Sequence, residues 1–131
     1  MRRGARRAGD KRPPVAIGHV FLAARDVPAA AEWLAEAGLR PIAGGENFAV
    51  LELRGGTHLV ITKAARRPKA GTEASFDLMV DDVDAAHRDY ERRGCKPSRI
   101  RRGRIHDGFH VAGPDGYRIS VVSSHAGRRP V

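Results

Sequence analysis

Three side chains capable of metal-binding or acid–base chemistry lie far apart in the sequence: His19, His58 and Asp77. Two imidazoles and one carboxylate form the ligand set of many non-haem iron sites and of other divalent-metal sites with open positions. The same side chains also serve as hydrogen-bonding groups in a water-filled pocket. His110 is a fourth candidate of this kind. Which of the two interpretations holds depends on whether the fold brings these residues together.

A duplicated stretch organises the elements around these residues. Residues 76–94, FDLMVDDVDAAHRDYERRG, match residues 20–38, VFLAARDVPAAAEWLAEAG, at a shift of 56 positions that places Asp26 on Asp82. In both copies an apolar strand runs into an aspartate, which is a good N-cap, and a helix-forming run then ends at a glycine suited to a C′ position. Self-similarity at a fixed spacing indicates two copies of one supersecondary unit.

Each copy is followed by further strand-like runs, so each half follows the pattern strand, helix, strand, strand, strand. Glycine-rich turns lead into the last strand of each half. The predicted strands cover 15–24, 40–43, 47–53 and 57–63 in the first half and 75–80, 98–102, 108–112 and 117–123 in the second, with helices over 27–37 and 83–93.

These elements predict an α+β fold, built from two tandem βαβββ modules in one domain over residues 15–124. Module one covers 15–63, module two covers 74–124, and the linker at 64–73 has the composition of a loop. A chain of 131 residues is long enough to bury a sizeable core. A second independent domain is not expected.

The basic charge of the chain is concentrated at its ends. The formal net charge is +9, of which residues 1–14 carry +5 and Arg128 with Arg129 carry +2, which leaves +2 for the rest. Segments rich in Arg, Gly and Pro bury little apolar surface, so we expect flexible tails over 1–14 and 125–131. Specific nucleic-acid binding is not expected, because aromatic residues make up only 5% of the chain and neither predicted helix is strongly basic.

We expect a soluble cytoplasmic protein. No stretch approaches the ~20 apolar residues of a membrane span, and the arginines near the N-terminus are not followed by the apolar run of a secretion signal. Cys95 is the only cysteine, which excludes an intrachain disulfide. His87 lies among charged helix residues and is expected on a solvated face, and the basic run at 96–104 is expected to be a solvated connection.

Three motifs give the chain a resemblance to the vicinal oxygen chelate superfamily, the glyoxalase, bleomycin-resistance and extradiol-dioxygenase group. They are HVFLAARDV at 19–27, FDLMVDDVDAA at 76–86 and GPDGYRISVV at 113–122, where the family commonly has a DPDG turn and a strand ending in Glu-Leu. The resemblance covers about 16–124. It implies that the curved, mixed sheets of the two modules form a cleft with the helices outside, and that the protein is a homodimer.

In metal-using members of this superfamily, each module supplies one ligand from its first strand and one from its last. The resemblance places the first-strand positions at His19 and Ser75 and the last-strand positions at Val60 and Ser120. Zinc, nickel and iron prefer imidazole and carboxylate ligands, which serine and valine do not replace. We therefore expect no metal cofactor. The alternative is a divalent metal held irregularly by the two histidines and the aspartate named first.

Strand alternation predicts which side chains line the cleft. Residues two apart along a strand share a face, so the face that carries His19 also carries Phe21. The apolar members of the set can form walls, and the polar members can orient a ligand. The predicted ligand-binding residues are His19, Phe21, His58, Val60, Ser75, Asp77, Met79, His110, Arg118, Ser120 and Val122.

A cleft without the usual metal ligands favours a protein that binds a small hydrophobic or aromatic molecule. The ligand is expected to be neutral or anionic, because Arg118, His19 and His58 are predicted to face inward. One alternative is a metal-dependent lyase, isomerase or dioxygenase with an atypical His/Asp site. A second alternative is a non-catalytic subunit that binds a partner protein. The sequence does not identify the ligand.

Overall fold

The computed structural model describes residues 8–124 and 129–131 and confirms the α+β class. Two helices and seven strands lie in the described ranges. Short 3₁₀ turns at Arg54–Gly56 and Pro114–Gly116 precede the last strand of each module. In chain order the elements are β1 His19–Ala24, α1 Val27–Glu36, β2 Arg40–Gly44, β3 Phe48–Glu52, β4 His58–Lys63, β5 Leu78–Val80, α2 Val83–Arg92, β6 Gly108–Ala112 and β7 Arg118–Ser123.

The strands form two mixed sheets with the same internal order. The first sheet runs β1-β4-β3-β2, with β1 parallel to β4 and the remaining pairs antiparallel. The second runs β5-β7-β6, with β5 parallel to β7 and β6 antiparallel to it. In each module the first strand therefore lies beside the last, as two tandem βαβββ units require.

Both helices begin at the predicted aspartates. The Asp26 carboxylate accepts a hydrogen bond from the Ala29 N–H at 3.1 Å, and the Asp82 carboxylate accepts one from the Ala85 N–H at 3.0 Å. Each bond satisfies one of the backbone donors left free in the first helical turn. The duplicated motif thus sets the start of both helices.

Removing the α2 cap gives a first testable result. Asp82→Ala should lower the free energy of unfolding by about 1 kcal/mol, whereas Asp82→Asn, which can still cap, should cost only a few tenths. The adjacent Asp81 only pairs with Arg54 at 3.0 Å on the surface, so Asp81→Ala should cost at most about 0.5 kcal/mol. Urea unfolding of the three variants measures the differences. Equal losses for the two alanine variants would contradict the capping role.

One face of each sheet packs against the helices and forms the core. In the first module this core includes Leu34 of α1 and Ile61 of β4, both fully buried. In the second it includes Ile119 and Val121 of β7. The core is continuous between modules, and Trp33 of α1 stacks on Tyr90 of α2 with ring centroids 5.9 Å apart. The opposite faces of the sheets remain open.

Side-chain hydrogen bonds join the second module to β1. The Tyr117 hydroxyl donates to the Ala23 carbonyl at 2.8 Å, and the Ser75 hydroxyl donates to the Phe21 carbonyl. At the end of β1 the Arg25 N–H donates to the Asp115 carboxylate. These bonds use backbone groups along the outer edge of β1, so they fix the second module beside that strand.

Two predicted strands differ from the structure. Residues 98–102 do not form a strand. Arg101 makes an isolated bridge to Gly108, and the Ser98 N–H donates to the His110 carbonyl at 2.9 Å. The side chain of Arg102 binds Asp84 at 2.6 Å and Asp107 at 3.1 Å. The strand predicted at 75–80 covers only Leu78–Val80.

A bulge shortens β5. Glu73 bridges to Arg118, and Leu78 pairs with Val121. The segment leading into β5 therefore advances five residues between these two pairings, while β7 advances only three. The extra residues bulge out of the ladder. Ser75 lies in this bulge, where its hydroxyl is bound to the Phe21 carbonyl.

The prediction of a solvated His87 is wrong. Its side chain is only 18% exposed and its ring packs edge-to-face on Phe109 with centroids 5.0 Å apart. One ring nitrogen lies 2.9 Å from the Ser98 carbonyl oxygen, and the other lies 3.1 Å from the Glu91 carboxylate. Since β6 packs beneath α2 at this point, the histidine joins the helix to the segment that follows it.

The predicted tails at 1–14 and 125–131 fall partly outside the described residues, which begin at 8 and omit 125–128. At the described start of the chain, Arg12 and Asp10 form an ion pair at 2.8 Å. Neither helix in the described part of the chain is long and apolar enough to cross a membrane.

Candidate functional site

The open face of the first sheet presents the side chains that alternate with the buried ones. Strand pairing arranges these side chains in three rows that cross β1, β4 and β3, and we call the nine residues the open face. The rows are His19–His58–Glu52, Phe21–Val60–Val50 and Ala23–Thr62–Phe48.

The second and third rows of the open face are mainly apolar. Phe21 is 60% exposed and Phe48 is 52% exposed, and between them lie the half-buried Val50 and Val60. Large apolar side chains grouped on an exposed face mark a site of interaction more often than scattered ones do. Aromatic rings with accessible faces can stack on a flat ligand.

The first row is polar and extends onto β2. The rings of His19 and His58 meet edge-to-face with centroids 5.7 Å apart. Nε2 of His58 lies 3.1 Å from Oε2 of Glu52, and the other carboxylate oxygen of Glu52 accepts a hydrogen bond from Arg40. We call His19, His58, Glu52 and Arg40 the polar row.

The carboxyl of Glu52 is held in its ionised form. Hydrogen bonds from Arg40, and next from His58, lower its pKa below the ordinary value, against a smaller opposing effect of burial. Because the folded-state pKa is depressed, the ionised row stabilises the fold above the unfolded-state pKa of about 4.3. That stabilisation is lost as the pH falls through the folded-state pKa.

Arg40→Met is therefore expected to raise the pKa of Glu52, because it removes the largest cause of the depression. A ¹³C NMR titration of the side-chain carboxyl measures the shift. Arg54→Met is the matched control, since Arg54 pairs with Asp81 and not with Glu52. An unchanged Glu52 titration in Arg40→Met would show that the ion pair does not control this carboxylate.

The second sheet carries five of the remaining predicted site residues, which are Met79, His110, Arg118, Ser120 and Val122. Met79 is exposed and pairs with Val122, and His110 pairs with Ser120. Arg118 is bound to Glu73 at 3.1 Å, so its charge is balanced by a carboxylate. The open side of this sheet therefore carries apolar, hydroxyl and charged side chains together.

Two cavities lie beside β5. One of about 380 Å³ is lined at the bulge by residues that include Ser75, Asp77 and Ser120. Another of about 1060 Å³ lies between the modules, against Leu39, Phe76 and other residues of both. Asp77 lines both cavities and belongs to the second module, whereas His19 and His58 lie side by side on the first sheet.

The metal-ligand positions of the superfamily do not fit a metal in this chain. Val60 offers only hydrocarbon, and the hydroxyl of Ser75 is bound to the Phe21 carbonyl. Within residues 8–124 and 129–131, no three His, Cys, Asp or Glu side chains are arranged to hold a metal ion. Three of the four superfamily positions carry hydroxyl or aliphatic side chains, which are poor ligands for transition metals.

The sequence predicted cleft positions for His19, Phe21, His58 and Val60, and the structure places all four on the open face. The sequence did not indicate Glu52 or Arg40 beside them. The hairpin of β3 and β4 contains the pattern from which the position of Glu52 could have been predicted. Alternation through β3 places Glu52 on the face of Val50, and the short glycine turn before β4 then sets it opposite His58. The position of Arg40 beside Glu52 results from the antiparallel pairing of β2 with β3.

The chain belongs to the Glyoxalase/Bleomycin resistance protein/Dioxygenase superfamily, whose family model matches residues 16–121. This range contains nearly all of both modules and the whole open face. A comparison with curated proteins gives no match.

Solved structures with the same fold carry different names. Lactoylglutathione lyase from Agrobacterium tumefaciens is similar with a TM-score of 0.70 and 19% identity, over 89% of this chain and 99% of that one. A possible glyoxalase from Bacillus cereus has a TM-score of 0.64 and 25% identity, over 81% and 96%. The oxidase ChaP-H2 has a TM-score of 0.67 and 20% identity, over 86% and 98%. Since a lyase and an oxidase share the fold, the function must be argued from the site.

Proposed function

We propose that this protein binds a small aromatic or hydrophobic molecule, neutral or anionic, on the open face of its first sheet. The observation that carries the proposal is the exposure of Phe21 and Phe48 around Val50 and Val60, directly beside a polar row. Binding sites for small molecules combine apolar walls with a few polar groups that set orientation. The open face has both parts.

The polar row favours a neutral or anionic ligand. Its carboxylate, Glu52, is already engaged on both oxygens by Arg40 and His58, so it is a poor partner for an incoming cation. The histidine rings offer hydrogen-bonding nitrogens at the rim of the apolar rows. A flat molecule can therefore stack on the apolar rows and place one polar group at the polar row.

A matched series of naphthalenes tests this proposal. Isothermal titration calorimetry should show saturable binding of 2-naphthol and 2-naphthoate and much weaker binding of the cation 2-naphthylmethylammonium. Val60→Asp, which puts a carboxylate in the centre of the face, should abolish binding, whereas Ile105→Asp on an exposed loop should not. Preference for the cation, or unchanged binding in Val60→Asp, would contradict the proposal.

Metal-dependent chemistry at an atypical site of His19, His58 and Asp77 remains the alternative prediction. It requires Asp77 of the second module to approach two histidines of the first, and His58 to exchange Glu52 for a metal. Metal analysis of untagged protein after reconstitution tests it. A stoichiometric transition metal that is lost in His19→Ala would support this alternative over a metal-free site.

A homodimer and a cytoplasmic location also remain predictions. Members of the superfamily commonly pair their modules between chains, and the exposed Ile42 of β2, the edge strand of the first sheet, offers apolar surface for such a contact. Sedimentation velocity tests the oligomer. Only monomer at high protein concentration would rule it out.

A further inference from the structure

We infer that His58 is a metal-independent proton acceptor, oriented by Glu52 and Arg40, that takes the proton of an acidic O–H group on an aromatic ligand such as a phenol or an enol. The inference rests on the proposed function, because the ligand must lie on the open face. It adds the chemical class of the ligand's polar group and assigns a role to His58.

Glu52 fixes which nitrogen of His58 carries a proton. Its carboxylate is ionised and can only accept hydrogen bonds, so the ring nitrogen 3.1 Å away, Nε2, must be the donor. Arg40 occupies the other carboxylate oxygen, which holds Glu52 in place and keeps it charged. In the neutral imidazole the second nitrogen, Nδ1, then has a free lone pair.

The free nitrogen of His58 is available to a ligand. No residue in the described ranges 8–124 and 129–131 forms a hydrogen bond with Nδ1. The His58 side chain keeps 34% of its surface exposed, and its ring contacts the ring of His19. A carboxylate behind an imidazole with an accessible second nitrogen is the arrangement that general bases use.

The apolar rows place a ligand at the correct distance. Phe21 and Val60 are two residues along β1 and β4 from His19 and His58, so adjacent rows lie about 7 Å apart at the usual rise of a strand. That separation is comparable to the long axis of a substituted benzene ring. A ring stacked on Phe21 can therefore direct its hydroxyl towards His58.

The proton transfer is balanced within the site. The ligand O–H bond breaks, its electron pair stays on the oxygen as a phenolate or enolate, and the proton binds the lone pair of Nδ1. The resulting imidazolium lies between the ligand anion and the Glu52 carboxylate, both of which stabilise it. Arg40 prevents Glu52 from taking the proton instead, because it stabilises the ionised carboxylate. The site needs no oxidant or further reactant.

Two phenyl probes test the inference, 4-nitrophenol and its methyl ether 4-nitroanisole, which has no proton to transfer. The wild-type protein should bind 4-nitrophenol at least about tenfold more tightly than the ether, since a hydrogen bond to a charged group contributes about 1.5–3 kcal/mol. The visible absorbance of the phenolate should rise on binding. His58→Gln and Glu52→Gln should each lose most of the preference for 4-nitrophenol over the ether, measured as the ratio of the two affinities in the same variant, and most of the absorbance change.

The failures of the two proposals are distinguishable. If neither probe binds, the proposed function and this inference are both overturned. If both bind equally, or if the preference survives in His58→Gln, only the inference is overturned. Long-range ¹H–¹⁵N NMR of the unliganded protein above neutral pH adds a test without a probe. A proton on Nε2 of His58 supports the inference, and a bare Nε2 overturns it.

Discussion

Replacing Ile61 with alanine is expected to lower the free energy of unfolding by about 3 kcal/mol. Ile61 is 0% exposed and lies in the core between the first sheet and the helices. Truncating a buried aliphatic side chain loses its transfer free energy and leaves a cavity, at a combined cost of about 2–5 kcal/mol. Urea unfolding followed by far-ultraviolet circular dichroism measures the difference.

The control for this variant makes the same truncation on the surface. Ile105 is 65% exposed, so Ile105→Ala should cost less than about 0.5 kcal/mol. Similar losses in the two variants would contradict the assignment of Ile61 to the buried face of β4. That outcome would also undermine the open face, because adjacent strand residues point to opposite sides and Val60 would then be a core residue.

Phe21→Ala is expected to weaken binding of 2-naphthol about tenfold. The ring of Phe21 is exposed on the open face, and stacking of aromatic rings contributes up to about 1.5 kcal/mol beyond buried area. The free energy of unfolding should change little, since most of the side chain is outside the core. Isothermal titration calorimetry and urea unfolding of the same preparation measure both quantities.

The matched control for Phe21→Ala is again Ile105→Ala, which removes exposed apolar surface elsewhere. It should leave the affinity for 2-naphthol unchanged. An equal loss of affinity in the control would indicate nonspecific binding to exposed apolar groups. Unchanged affinity in Phe21→Ala would show that the ligand does not stack on the open face.

The helices and most strands could be predicted because their determinants are local. Asp26 and Asp82 cap the helices through bonds to residues three positions later, and alternation along β4 separates Ile61 from Val60. Both patterns are visible in a short window of sequence. The duplication then predicted the order of the elements, because the same succession of strands and helix is expected in both modules.

The errors arose where distant contacts decide the structure. Arg102 binds Asp84, eighteen residues earlier, and the strand predicted at 98–102 does not form. Ser75 lies outside β5, and its hydroxyl binds the Phe21 carbonyl in the other module. His87 is covered by Phe109 and not by solvent. No local pattern carries these pairings.

Part of the candidate site could be predicted because alternation along a strand is also a local pattern. Alternation identified the faces that carry His19 and His58, but it did not say which charged residue would accompany them. Asp77 was a predicted site residue because alternation places it on the same face as Ser75. The structure places Glu52 beside His58 instead, through the antiparallel pairing of β3 with β4. Pairing between strands, and not the pattern along one strand, therefore defines the polar row.

We propose that a small aromatic ligand occupies the open face of the first sheet, and methyl NMR during titration with 2-naphthoate locates the ligand. We expect saturable shifts of the Val50 and Val60 methyl signals, and much smaller shifts for Leu39, which lines the cavity between the modules. Shifts concentrated at Leu39, or no saturable shift at any methyl group, would show that the ligand does not occupy the open face.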